Sequence, residues 1–360
     1  MSNNSVNHQL IQLIAQQYNL DVKKILPKQK GYRNTIIPLQ LVDEIQLIKA
    51  GHYPLKKINQ VCLILFKNET QCLIRRNNAF LLTDFLAKKG WPVRVMLSPS
   101  NSDKQSQITK KILALKSKKS KNLSIRYLAL YSFLPGNTIS WEAYTQKHLK
   151  VLGKTLGDLH HDLAEIPLKK QQQLPLAETE LKTQLAEMQA YFQQTNVQKA
   201  LIKKLNLKIN RKIWTWLQKL LEKIQKIDQQ QPLHLDFVRS NILWTQTDQA
   251  WPQISGVLDF EKAALGPTVL DIARTLAFLI VDCKYKPENK VRKYFLHSGY
   301  RKRSASQLQN LELLNPLLNF FWLYDFYKFL KHNPYEYLPK NEHFQRTVEQ
   351  LKKQQLITAL

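Results

Sequence analysis

Apolar positions change from the spacing of strands to the spacing of helices along this chain. Ile37, Leu39 and Leu41 alternate, which predicts a half-buried strand over 36–47, and the apolar run 61–66 predicts a buried strand. Shorter strands are predicted at 22–26, 94–97, 124–130, 241–244 and 254–258. Helical spacing predicts the other elements, at 8–18, 75–86, 144–163, 174–229, 271–281 and 313–330. The first third is thus predicted to be mainly sheet and the remainder mainly helix.

The predicted helix 144–163 contains a signal for close packing. Gly153 and Gly157 lie four residues apart, and glycine lowers helix stability, so such a pair usually allows a neighbour to approach closely. His160 follows on the same helix, and we interpret it as a core-facing brace.

Charge is the most unusual property of the composition. With 54 Lys and Arg against 27 Asp and Glu, the formal net charge is +27. Such a surface could attract nucleic acid or an anionic membrane. The alternative explanation is that the lysines are scattered over solvated helix faces. We favour the second explanation because no nucleic-acid recognition motif is present. The basic segment 98–122 is predicted to be a solvated loop, with an anion-binding flap as the alternative.

Cysteine use and the N-terminus bear on the compartment. Cys62, Cys72 and Cys283 are not in C-x-x-C spacing, which indicates a reducing compartment and no zinc site. The first residues lack the pattern of a secretory signal, and no window of about 18 residues is free of charge. We therefore expect a cytoplasmic protein of 360 residues, in one large or two medium domains, without a transmembrane segment.

Candidate chemistry is concentrated between residues 233 and 259. A loop carries Asp236 and Asn241 five residues apart, a short apolar strand follows, and a second apolar strand ends at Asp259. Such a hairpin would present two carboxylates and one amide at one edge. Phosphoryl transfer needs such groups: a carboxylate that orients or accepts the proton of a hydroxyl, and hard oxygen ligands for Mg²⁺.

The motifs H-x-D-x-x-x-x-N and D-F-E resemble those of the aminoglycoside phosphotransferase and choline kinase superfamily. The resemblance implies that Asp236 is the catalytic base, that Asn241 and Asp259 bind Mg²⁺, and that His234 and Asp271 support the loop. Members usually have glycine where Leu235 stands, a departure that concerns the packing of the loop.

The same resemblance assigns nucleotide-binding residues in the first third. Gly31 and Asn34 would contact the ATP phosphates through backbone N–H groups in a covering loop, and Lys67 would pair with the α- and β-phosphates. Backbone at Ala129, Tyr131 and Phe133 would line the adenine pocket. The helix after Lys67 departs from the pattern, because the glutamate that normally holds this lysine is replaced by an amide near Asn78.

Together, the resemblance implies an α+β, bilobal protein-kinase-like fold, with a small antiparallel-sheet N-lobe at 1–134 and a large helical C-lobe at 135–360. It implies ATP and Mg²⁺ as cofactors. Only eleven residues separate Asp259 from Asp271 and no Ala-Pro-Glu follows, so we expect a small hydroxylated acceptor, namely an amino alcohol, sugar or aminoglycoside-like molecule. The alternatives are a kinase-shaped binding protein without turnover and a polyanion-binding protein.

The resemblance also implies that the helical segment 174–229 shapes the acceptor pocket and so determines the identity of the acceptor. The aromatic helix 313–330 is predicted to be packing, and the alternative is that its rings, with Asp325, hold an amine by cation-π contact.

Overall fold

The computed structural model describes residues 12–30, 34–47, 56–66, 72–97, 113–119, 122–245, 251–283 and 285–359. The chain forms two compact units. The first comprises Met1–Gly136 and Ile254–Glu261, and the second comprises Asn137–Gln253 and Lys262–Leu360. The assignment of 1–134 to nucleotide binding and of 135–360 to catalysis stays a prediction.

The first unit is built on an antiparallel sheet in the order β1-β3-β4-β6-β5, with β2 beside β3. Its strands are β1 (Val22–Ile25), β2 (Gln29–Lys30), β3 (Thr35–Leu47), β4 (Lys56–Leu65), β5 (Leu113–Lys119) and β6 (Asn122–Ser132). Ile37, Leu39 and Leu41 are buried on one face, as their alternation predicted, where helix α1 (residues 12–18) contributes Ile14 and Tyr18. Helix α2 (Cys72–Lys88) supplies partly buried apolar residues to the other core cluster, around Phe66 and Tyr131.

Two local predictions in this unit were wrong. Residues 94–97 do not form a regular strand, because the segment makes single bridges to different partners, Val93 to Val257 and Met96 to Tyr131. Part of the predicted basic loop is the edge strand β5, which pairs with β6. Lysines are frequent on edge strands because they oppose pairing with another chain, so the basic composition concealed a strand.

The second unit is mainly helical. Its helices are α3 (Gln146–Ala164), α4 (Leu168–Gln171), α5 (Ala177–Gln193), α6 (Thr195–Leu205), α7 (Ile213–Gln225), α8 (Val269–Asp282), α9 (Glu288–Arg292), α10 (Leu314–His332) and α11 (Glu342–Lys353). A capping box between Thr145 and His148 starts α3. The predicted close packing of α3 is confirmed, since a Cβ at Gly153 would collide with the carbonyl oxygen of Phe295. A search of the described helices for a bilayer-spanning segment finds none.

The prediction of continuous helix over 174–229 was wrong. Asn206 ends α6 with a left-handed φ of 53°, a conformation that asparagine adopts more easily than most residues. The chain then forms β7 (Leu207–Ile209), which pairs with β12 (Ile357–Ala359) near the other end of the sequence. Local spacing could not reveal this pairing because the partner strand is about 150 residues away along the chain.

Short strands lead into and out of the motif segments. In the second unit β8 (Gln231–Leu233) pairs with β11 (Ala264–Gly266). The first motif directly follows β8, and α8 follows β11, so both start from the same small antiparallel ladder. The strands predicted at 241–244 and 254–258 are present as β9 (Ile242–Thr245) and β10 (Gln253–Val257).

Candidate functional site

Residues 234–241, the motif loop, begin directly after β8 with an unusual backbone conformation. Leu235 has a φ of 56°, in the left-handed region where glycine is the usual residue. The replacement of glycine by Leu235 therefore affects the backbone as well as packing. A leucine is strained in this conformation, whereas glycine would not be.

We expect the Leu235→Gly variant to be more stable than Leu235→Ala by about 1 kcal/mol. Both variants remove the same half-buried side chain, but only glycine relieves the left-handed strain. Urea unfolding of the two variants measures the difference. The order would be reversed at an ordinary helical position, so a more stable alanine variant would show that the left-handed conformation is not maintained in solution.

The start of the motif loop is bound by the carboxylate of Asp271. This residue lies fully buried in the first turn of α8. Its Oδ2 accepts a hydrogen bond from the His234 backbone N–H at 2.8 Å, and its Oδ1 accepts one from the Leu235 N–H at 3.0 Å. Asp271 thus holds the two residues that precede Asp236.

A second layer of buried polar groups holds Asp271. His160 on α3 is fully buried, with Nε2 3.1 Å from Asp271 Oδ2 and Nδ1 2.6 Å from the Tyr300 hydroxyl. Burial raises the pKa of Tyr300 above its ordinary value, against the lowering effect of the hydrogen bond to Thr268 and with a smaller contribution from the negative charge of Asp271, so the hydroxyl stays protonated. His160 is the core-facing residue that its place on the helix predicted.

The His234 ring contacts the motif loop directly. The ring is fully buried, and its Nδ1 accepts a hydrogen bond from the backbone N–H of Asp236 at 3.1 Å. An accepting Nδ1 requires the proton on Nε2 if the ring is neutral. The ring also packs edge-on against Phe237, with centroids 5.9 Å apart.

Asp236 is surrounded by donors. Its Oδ1 lies 2.7 Å from the Lys262 Nζ, and its Oδ2 accepts from the Asn241 Nδ2 at 3.2 Å. Burial opposes ionisation of the carboxyl, but the Lys262 ammonium and the Arg274 guanidinium outweigh burial and hold the pKa of Asp236 below its ordinary value. The group is therefore a carboxylate at neutral pH.

Asn241 and Asp259 have donor chemistry that suits Mg²⁺. Asn241 is in the second unit and uses Nδ2 for its bonds to Asp236 O (2.9 Å) and Oδ2 (3.2 Å); neither bond uses Oδ1. Asp259, in the first unit, has an exposed side chain and a left-handed φ of 61°. An amide oxygen and a carboxylate are hard oxygen ligands, the type that Mg²⁺ prefers.

The residues predicted to bind nucleotide are only partly described. Gly31 and Lys67 lie outside the described residues. Ala129 and Tyr131 are on β6, buried and paired with Ile64 and Cys62 of β4. Phe133 follows β6 and is half-buried, and its N–H donates to the Gln60 carbonyl at 3.4 Å.

Asn34 makes a contact that the sequence did not suggest. Its side-chain Nδ2 donates to Glu261 Oε1 at 2.9 Å. Glu261 also forms an ion pair with Arg76 of α2, two residues before Asn78, where a glutamate was expected. The first unit therefore contains a buried ion pair whose anion is the last residue of the D-F-E motif and whose cation lies on the helix.

The aromatic helix α10 is packing. Phe320 and Phe326 are fully buried, as is nearly all of Trp322, whose Nε1 donates to the Ala277 carbonyl at 3.0 Å. Asp325 is paired with Arg274 at 3.2 Å between Nη1 and Oδ1. This carboxylate is neutralised by a protein cation, which argues against the alternative that it receives an amine.

Sequence reasoning missed Lys262, Arg274, Arg76 and Glu261. The charged partners of Asp236 lie 26 and 38 residues further along the chain, and 54 Lys and Arg are spread over the sequence. Position is the only mark that the sequence gives, since Glu261 ends the D-F-E motif and Lys262 directly follows it, and position alone does not reveal their partners.

Comparison with known proteins bears on the family and the fold of this chain. Residues 83–289, more than half of the chain, match the family described as the Phosphotransferase enzyme family. No curated protein sequence matches the chain. Three solved structures are similar over nearly their whole length. The first is "Amicoumacin kinase hAmiN in complex with AMP-PNP, Ca2+ and Ami", with a TM-score of 0.64, 13% identity, and 98% of this chain and 96% of that chain covered.

The second is the microcompartment-associated aminopropanol kinase, with a TM-score of 0.59, 10% identity and coverage of 98% and 100%. The third is the GDP complex of wild-type aminoglycoside 2'-phosphotransferase-IIIa, with a TM-score of 0.56, 12% identity and coverage of 97% and 100%. At these identities the likeness establishes the fold alone. The predicted fold class, α+β with a small antiparallel sheet and a larger helical part in the kinase-like arrangement, is confirmed.

Proposed function

Since the chain belongs to the phosphotransferase enzyme family, we propose that it transfers the γ-phosphate of ATP to a hydroxyl group of a small molecule. The observation that carries the proposal is the state of Asp236. Its carboxylate is kept ionised by Lys262 and Arg274, and Asn241 fixes the direction of Oδ2. A carboxylate held in this way can accept and orient the proton of an attacking hydroxyl.

Hydrogen bonds to the start of the motif loop position the Asp236 carboxylate. Asp271 and His234 fix the backbone on both sides of Leu235 by hydrogen bonds to three consecutive N–H groups, those of residues 234, 235 and 236. An acceptor hydroxyl held against Asp236 would be oriented for in-line attack, and such orientation contributes a large part of the rate enhancement in phosphoryl transfer.

In this proposal Asn241 Oδ1 and the Asp259 carboxylate hold Mg²⁺, which when bound neutralises charge on the nucleotide phosphates. Gly31, Asn34 and Lys67 contact these phosphates, and Ala129, Tyr131 and Phe133 lie beside adenine. Support comes from the motif positions and from related structures solved with AMP-PNP or GDP.

The acceptor is a small hydroxylated molecule. The aminopropanol kinase, an ethanolamine kinase and aminoglycoside phosphotransferases among the similar structures suggest amino alcohols, sugars and aminoglycoside-like compounds as the first candidates. A kinase-shaped protein without turnover is the less favoured alternative, because Asp236, Asn241 and Asp259 are all present and Asp236 is held by Asn241 and Lys262. The comparisons give no support to a nucleic-acid partner.

Acceptor-dependent release of ADP tests the proposal. The purified protein is incubated with ATP and each member of an acceptor panel of amino alcohols, sugars and aminoglycosides, with Mg²⁺ or with EDTA. We expect at least one acceptor to stimulate ADP release in a magnesium-dependent manner. ADP release that no acceptor changes, with every panel member and with a metabolite extract, would contradict transfer to a hydroxyl.

Lys262 should set the acidic limb of the pH profile. In the Lys262→Met variant burial still raises the pKa of Asp236, while the nearest opposing charge is gone. The pKa of Asp236 should therefore rise, and activity should be lost at a higher pH on acidification than in the wild type. The measurement is kcat/KM against pH for the wild type, Lys262→Met and the charge-conserving Lys262→Arg. Coinciding acidic limbs in all three would show that Lys262 does not tune Asp236.

A further inference from the structure

Arg76 and Glu261 form a nearly dry ion pair in the first unit. Arg76 lies near the start of α2 and Glu261 lies in the short 3-10 helix Phe260–Lys262; their side chains are 7% and 11% exposed. The guanidinium carbon of Arg76 is 3.9 Å from the centroid of the Phe66 ring. An isolated charge at such a position would be strongly disfavoured, so each residue depends on the other.

Two further side chains complete this cluster. Asn34, at the beginning of β3, donates to Glu261 Oε1 at 2.9 Å. Tyr131 on β6 lies near this pair, since burial raises the pKa of its hydroxyl and the Arg76 guanidinium opposes that rise. Four separate parts of the first unit therefore meet at one ion pair: α2, β3, β6 and the segment after β10.

The segment after β10 has a strained backbone that its neighbours must stabilise. Asp259, two residues before Glu261, has a left-handed φ of 61°, which is unfavourable for a residue with a side chain. Such conformations persist where the surroundings fix them. Phe260 is buried beside Asp259, and the Arg76–Glu261 pair anchors the next residue. Both contacts therefore fix the backbone that directly follows Asp259.

We propose that Arg76 and Glu261 are positioning residues that hold Asp259 in its metal-binding orientation, a role that rests on the proposed function. In kinase-like folds the helix equivalent to α2 normally supplies an anion; here it supplies a cation, and the D-F-E motif supplies the anion. Glu261 is not itself proposed as a metal ligand, because its Oε1 already contacts Arg76 and Asn34.

Calorimetry of ADP binding with and without Mg²⁺ tests the proposal. For the wild type, the ratio of the two affinities measures how well the metal ligands are oriented. We expect Arg76→Gln and Glu261→Gln each to lower this ratio by about 10-fold or more, while metal-free ADP affinity stays within about 2-fold of wild type. If the pair only stabilises the fold, both variants would have a lower melting temperature but the same affinity ratio as the wild type.

Three further variants make the test decisive. The double variant Arg76→Gln/Glu261→Gln should lose no more than either single variant, because the two residues act as one pair. Lys88→Gln removes an exposed ion pair with Asp84 on the same helix and should leave the ratio unchanged. If the glutamine variants fail to fold, Arg76→Lys and Glu261→Asp take their place, with an expected loss of about 3-fold or more since lysine lacks the planar fork of arginine.

Asp259→Asn separates failure of this inference from failure of the proposed function. If Asp259→Asn abolishes the magnesium effect while Arg76 and Glu261 variants retain the wild-type ratio, the positioning role is wrong and the phosphotransferase proposal stands. If the wild type itself shows no magnesium effect and no acceptor-dependent turnover, the proposed function is wrong, and the positioning role falls with it.

Discussion

Replacing Asp236 by asparagine should lower kcat by at least about 100-fold, the usual contribution of a general base. Asparagine preserves size and can still accept from Asn241, but it cannot take a proton from the acceptor hydroxyl or pair with Lys262. Because Asp236 is proposed to act on the acceptor hydroxyl and not on the nucleotide, ADP affinity should change little. Steady-state kinetics with the best acceptor and calorimetry with ADP measure the two quantities.

Asp228→Asn is the matched control for this substitution. Asp228 is an exposed aspartate shortly before the motif loop, so the chemical change is identical but lies outside the proposed site. It should retain wild-type kcat. Wild-type turnover in Asp236→Asn would remove Asp236 from the mechanism, whereas equal losses in both variants would point to a general effect on this part of the chain.

The second large effect is expected at Asp271. In Asp271→Asn an amide NH₂ replaces one carboxylate oxygen and must face a donor, either the His234 or Leu235 N–H or the His160 ring. Leaving buried groups of this kind unpaired should destabilise the protein by about 3 kcal/mol or more. Activity should fall as well, because the start of the motif loop loses its anchor. Urea unfolding and kcat of the folded fraction measure these effects.

The comparison with Asp236→Asn makes the Asp271 prediction specific. Asp236→Asn should change kcat far more than stability, and Asp271→Asn should change both. An Asp271→Asn variant with a wild-type urea midpoint would show that its buried hydrogen bonds are replaced by other contacts, and would contradict the anchoring role.

Much of the architecture was accessible from sequence because the signals are local. The helices predicted at 75–86, 144–163, 271–281 and 313–330 all occur, with bounds within about three residues of the observed ones. Alternation placed Ile37, Leu39 and Leu41 correctly in the core of the first unit. Two short motifs identified the family because their polar residues are too specifically spaced for an ordinary turn.

The electrostatic partners of the motifs were not accessible. Lys262 reaches Asp236 from 26 residues away, and Arg76 reaches Glu261 across 185 positions; in a chain with so many basic residues, neither stands out. The strand β7 was missed for the same reason, since its partner β12 is distant in sequence. Pairings over long separations depend on the tertiary fold, and hydrophobic periodicity does not record them.

The most direct test of the account is to follow the phosphoryl group itself. Wild type and Asp236→Asn are incubated with Mg²⁺, ATP labelled with ¹⁸O in the γ-phosphate, and either the best panel acceptor or a metabolite extract, and the products are analysed by mass spectrometry. The account predicts a labelled phosphate ester of a small hydroxylated molecule with the wild type, and about 100-fold less of it with Asp236→Asn. Label found only in inorganic phosphate, or equal ester formation by both proteins, would contradict it.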